Sequence, residues 1–224
     1  STRANGDYSA ETLSPRHKAW GRLLARNGYV ALMVDDFGPA GYPTGFKAGT
    51  YSQRPAMLDE VLIRPLHAYG ALRFLQQRPD IDATRIALLG WSNGGSATLA
   101  AMADDKPGDM RKLGFRAGIS LYPGCGLKRR FDKTGYRPYA PVRVFMGNAD
   151  EEVSPSDCAK LVARSRAKGG EITLTSFAGA THSYDSPIAS RQKVEANVKA
   201  KAETEAGVLA FLADTLKSSS AQED

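Results

Sequence analysis

Apolar and polar positions along this chain alternate between two rhythms. Five short apolar runs read as strands, at residues 29–34, 85–89, 115–122, 142–146 and 171–177. The first, Tyr29-Val30-Ala31-Leu32-Met33-Val34, is apolar without interruption, which suits a parallel strand covered on both faces. The last alternates in part, as an edge strand does. Helical spacing fills the intervals. Ser14-Pro15 opens a helix carrying Trp20, Leu23 and Leu24, closed by Asn27-Gly28. A helix is expected over much of 54–78, with Pro65 as a kink or division. Small residues from Gly95 to Ala100 continue the series. Ser154-Pro155 starts another helix to about Ala167, and a C-terminal helix is expected over about 190–216. Residues 38–51, 103–112 and 123–140 read as loops. The alternation predicts an α/β class chain: one mostly parallel sheet with helices on both faces, a single domain over residues 1–224.

The sharpest local signal is Gly90-Trp91-Ser92-Asn93-Gly94, between an apolar run and a run of small residues. Strand, sharp turn and helix at this spacing form a nucleophile elbow. The turn lifts the Ser92 hydroxyl above the sheet, and the helix start aims backbone N–H groups at one point. Asn93 is the expected oxyanion donor through its backbone N–H. A serine hydroxyl needs a base, and the base needs an orienting carboxylate. Only three histidines are present. His17 and His67 fall inside predicted helices and read as surface or packing residues. His182 follows the last strand directly and is the expected base. Asp150, just past a strand end, is the expected carboxylate, and the order Ser, Asp, His fits this class of fold. Glu151 and Glu152 are read as solvent-facing. Asp35 and Asp36 precede the nucleophile and suit a structural or substrate-polar role.

Composition narrows the alternatives. In 224 residues the charge is +6, and the basic residues form no stripe interleaved with aromatics, which argues against nucleic acid as a partner. No apolar run is long enough to span a membrane. Three scattered histidines and two cysteines give no metal-ligand spacing. The glycines at 38–49 lack the helix a nucleotide fingerprint needs, so neither metal nor cofactor is expected. Cys125 and Cys158 allow either one disulfide or two unpaired core thiols. A peptidase or acyltransferase on the same three residues, and a catalytically idle binding or scaffold protein, are the rival readings.

The sequence from Ala31 to Pro39, the elbow Gly90 to Gly95, Gly147-Asn148-Ala149-Asp150 with Pro155, and Gly179-Ala180-Thr181-His182 together resemble the dienelactone hydrolase family of α/β hydrolases. The resemblance implies hydrolysis of small esters or lactones by Ser92, Asp150 and His182. Dienelactone hydrolase proper carries cysteine as nucleophile; serine at this position favours a broader esterase-like activity. Similar members carry cysteines near Cys125 and Cys158, which implies a disulfide and, with it, a periplasmic or secreted location; unpaired thiols would imply the cytoplasm. The fold also implies a strand between those at 29–34 and 85–90, followed by a loop carrying a second oxyanion donor. Residues 1–13 contain no such strand, although residues 1–6 fall where the loop's remnant would lie. The expectation is that an N-terminal fragment of the same precursor supplies the missing strands, the alternatives being a truncated chain or a rearranged sheet.

Overall fold

The computed structural model describes residues 13–43, 45–46 and 50–217. Its centre is a four-stranded parallel sheet in the order β1-β2-β3-β4, with β1 at Ala87–Trp91, β2 at Ala117–Leu121, β3 at Val142–Gly147 and β4 at Ile172–Phe177. Every residue of β2 is buried. Ile119 and Leu121 are fully enclosed, and burial of each stabilises the fold by about 2 kcal/mol. β4 is an edge strand, as its partial alternation predicts, and two successive residues near its end are exposed.

Helices cover both faces: α1 (Pro15–Arg26), α2 (Arg64–Gln76), α3 (Asn93–Met102), α4 (Met110–Leu113), α5 (Pro155–Ala167), α6 (Ala189–Gln192) and α7 (Glu195–Leu212). The caps are those the sequence offers. The side-chain oxygens of Ser14 and Ser154 accept the N–H groups of His17 and Asp157, and a proline follows each serine. The same logic reveals α4, where Asp109 accepts the N–H of Arg111; the helix begins within the expected 103–112 loop and runs past its end.

Three expectations are corrected. The 54–78 helix is only its second half. Asp59 Oδ1 accepts the N–H groups of Val61 and Leu62, folding an Asx turn there, and Pro65 sits in the first turn of α2 rather than kinking a longer helix. The C-terminal helix is divided into α6 and α7, with a wider π turn at Ala213–Lys217.

The third correction concerns residues 29–34, which join no ladder among the described residues. Their exposure still alternates in twos: Val30, Leu32 and Val34 are exposed, Ala31 and Met33 partly covered. The segment has strand periodicity and no strand partner. A cavity of about 670 Å³ lies between it and β1, walled by side chains that include Leu24, Leu72, Leu75 and Leu212.

The free edge of β1 faces this cavity. Ile86 accepts from the N–H of Arg116, and the N–H of Ser92 donates to Leu121, so even-numbered residues point their main-chain groups at β2. Ala87, Leu89 and Trp91 therefore point theirs the other way. Among the described residues, none of these three has a backbone partner on that side.

Candidate active site

Ser92 stands between β1 and α3 with φ 51° and ψ −119°, a conformation that costs a non-glycine residue energy and persists only where its surroundings enforce it. The enforcement is visible. Ser92 N–H donates to Leu121, and Ser92 C=O accepts from Ser96. Gly90 permits the turn, since a Cβ there would collide with the Gly94 carbonyl and come within 2.5 Å of Thr98 Oγ1.

The Ser92 hydroxyl lies 2.8 Å from His182 Nε2. His182 Nδ1 lies 2.8 Å from Asp150 Oδ2. The imidazole is 2% exposed and the Asp150 carboxyl fully enclosed, so the relay runs in a site shielded from water. Asp150 is fixed through its other oxygen, which accepts the N–H groups of Glu152 and Val153 at 2.9 Å each. The His182 loop sits tightly on the end of β3, because a Cβ on Gly147 would strike the Ala180 carbonyl. The three residues proposed from sequence thus converge on one point. Asn93, the residue after the nucleophile, opens α3. Residues 1–6, the suggested source of a second donor, lie outside the described residues.

Several neighbours escaped the sequence reading. Glu151 does not simply face water: its carboxylate accepts the His182 N–H at 2.8 Å and binds Arg191 at 2.6 Å. Partial burial works against its charge, but the His182 N–H and Arg191 hold its carboxyl below the ordinary range. Glu152 is half exposed, yet its carboxylate comes within 3.4 Å of His182 Nε2. No spacing rule separates these two acids from Asp150.

Behind the imidazole, Tyr122 places its ring edge-on to His182 with centroids 4.8 Å apart. Its hydroxyl donates to Asp185 Oδ1 at 2.5 Å, and Trp20 Nε1 donates to Asp185 Oδ2 at 2.7 Å. Burial, then the Asp185 carboxylate, pushes the Tyr122 hydroxyl well above its ordinary pKa, so it stays a neutral donor. In front, the cavity beside β1 reaches Ser92 and His182 and is also lined by Phe37, Arg54 and Arg64. Burial, then repulsion from Arg64, lowers the pKa of Arg54.

Cys125 and Cys158 are joined in a disulfide, with Cα atoms 4.9 Å apart. The bond ties the loop after β2 to α5, whose start follows the Asp150 loop. No group of three or more metal-ligating side chains occurs among the described residues.

Three comparisons bear on this geometry. The model of the dienelactone hydrolase family matches residues 14–216. A probable 2-oxo-3-(5-oxofuran-2-ylidene)propanoate lactonase from Bradyrhizobium sp. is 24% identical over 169 residues, covering 72% of this chain and 64% of the relative. The chain thus spans just under two thirds of that relative's length. Among solved structures, the dienelactone hydrolase-like promiscuous phosphotriesterase P91, from metagenomic libraries, superposes with a TM-score of 0.69 at 19% identity, over 91% of this chain and 82% of its own. Native esterase 2 of Thermogutta terrifontis gives 0.51 at 17% identity, over 84% and 78%. At these identities the two structures speak for a shared fold.

Proposed function

This chain belongs to the dienelactone hydrolase family, and from that premise we propose that it is a serine hydrolase cleaving carboxylic esters or lactones through an acyl-enzyme. The observation that carries the reading is the unbroken Ser92–His182–Asp150 hydrogen-bond chain. In the proposed mechanism the Ser92 hydroxyl attacks the acyl carbonyl while His182 Nε2 takes its proton. Asp150 holds the Nδ1–H tautomer and stabilises the imidazolium. The Asn93 N–H faces the developing oxyanion, and His182 returns its proton to the leaving alkoxide. Water, deprotonated by His182, then releases the acid. A lactone follows the same path, with its leaving group retained on the acyl chain. The lactonase relative supports that substrate class, while serine as nucleophile supports esters more broadly.

A short-chain p-nitrophenyl ester assay with fluorophosphonate labelling tests this. Turnover and a Ser92 adduct are expected in the wild type, and both are lost in Ser92→Ala. Asp150→Asn is expected to lower kcat by roughly 10⁴-fold while the protein stays folded. A folded wild type with neither adduct nor turnover would favour the idle scaffold.

Two further parts of the reading rest on the fold. The cavity between residues 29–34 and β1 supports a missing strand, supplied by polypeptide of the same precursor and bringing the second oxyanion donor at its end. The disulfide supports residence in an oxidising compartment, periplasmic or extracellular.

A further inference from the structure

The described residues leave a gap in the wall of the site, and one side chain spans it at the catalytic end. Arg64, the first residue of α2, donates through Nε to Asp36 Oδ2 at 2.7 Å, and its NH2 group meets the same oxygen at 2.6 Å. Its NH1 group donates to Asn93 Oδ1. The two ionic side chains are only 10% and 15% exposed. His67 Nδ1 sits 3.1 Å from the other Asp36 oxygen, and the Arg64 guanidinium lies over the Phe37 ring. Asp36 ends the segment on one side of the cavity; Asn93 follows the elbow on the other.

We propose that Arg64, anchored by Asp36, is a positioning residue for the oxyanion hole. The inference rests on the hydrolase reading above. The argument starts from the peptide between Ser92 and Asn93. Its plane sets where the Asn93 N–H points, and that plane belongs to a strained elbow. Through the Ser92 carbonyl it is held along the helix by Ser96, and the peptide before it is held on the β2 side by the Ser92–Leu121 bond. On the open side of β1 no ladder among the described residues holds it. There the Arg64–Asn93 bond supplies the restraint, and the charge on its donor makes it stronger than a neutral amide contact. Pairing with Asp36 fixes the planar fork, so the guanidinium orients Asn93 instead of wandering into the cavity. A donor that keeps its direction needs no reorganisation as charge builds on the carbonyl oxygen, which is where the rate gain lies.

Arg64→Gln, Asp36→Asn and Asn93→Ala test the proposal, with p-nitrophenyl acetate as substrate and active sites counted by fluorophosphonate. Arg64→Gln is expected to lower kcat per titrated site roughly 10- to 100-fold, less than the 10²–10³ of losing a donor outright. KM and the pH dependence set by His182 stay as in the wild type. The double variant Arg64→Gln/Asn93→Ala is expected to be no slower than the worse single one. The Asn93 amide resonance, followed as phenylboronic acid adds to Ser92, gives a readout free of turnover: a large shift in the wild type and a reduced one in Arg64→Gln. An unchanged kcat per titrated site, a loss confined to KM, additive effects in the double variant, or equal amide shifts would each overturn the positioning role. Failure of the wild type to label at Ser92 would count against the hydrolase reading instead.

Discussion

At the scale of single residues, the clearest departure from expectation is Glu151. Ser92 and His182 are legible because each has a position that little else competes for, a glycine-flanked turn and the one histidine outside the predicted helices, whereas Asp150 is legible only as the first of three successive acids past a strand end. Glu151 carries no comparable mark. It acts through the backbone of His182, and a carboxylate that binds a main-chain N–H leaves no pattern in side-chain spacing. Its contribution depends on pH with a definite sign. The folded carboxyl titrates below its ordinary value of 4.5. The stabilisation is therefore fully present above that value and lost as pH falls through the lower, folded one. Glu151→Gln is expected to lower Tm by a few degrees at most near neutrality, since the group is largely solvated. Once pH has fallen past the folded carboxyl's lowered pKa both proteins carry a neutral group there, and their melting curves should converge. A gap that stays constant from neutrality into strong acid would show that the carboxylate's charge is irrelevant.

At the scale of elements, legibility tracks how local the determining physics is. α1 and α5 begin where serine and proline say they should, because a cap is a contact between near neighbours in sequence. The break at Asp59 is also local, yet the apolar spacing of Met57, Val61 and Leu62 masks it; Met57 and Leu62 are in fact exposed. The disulfide is the opposite case. Its partners lie 33 residues apart, and their meeting depends on β3 and α5 being in place. Closing a loop of that length stabilises the fold by about 3–4 kcal/mol, mainly through the unfolded chain. Paired replacement of Cys125 and Cys158 by serine is expected to lower the unfolding free energy by roughly that amount. Chemical denaturation with and without reductant measures it, and reductant should leave the double variant unaffected.

At the scale of the molecule, a mostly parallel sheet with helices on both faces could be foreseen from strands alternating with helices, but the fate of residues 29–34 could not. Their apolar run is a strand signal, and a strand exists only against a neighbour. Adjacent strands stand about 4.8 Å apart, so one intervening strand sets the separation at roughly 10 Å. Cysteines at Ala31 and Leu89 distinguish the proposed intervening strand from direct pairing with β1. With the cavity filled, Ala31→Cys/Leu89→Cys should form no disulfide, yet be bridged by a bismaleimide about 10 Å long. Spontaneous disulfide formation, which needs Cα atoms within about 7 Å, would mean that the segment pairs with β1 directly.

The side of β1 that has no backbone partner among the described residues also governs how the material behaves in a tube. Amides and carbonyls at Ala87, Leu89 and Trp91, next to an oily trench, form a template onto which any extended chain in solution will zip. Clumping that grows with protein concentration, rather than sluggish chemistry, is where an open sheet edge makes itself felt first.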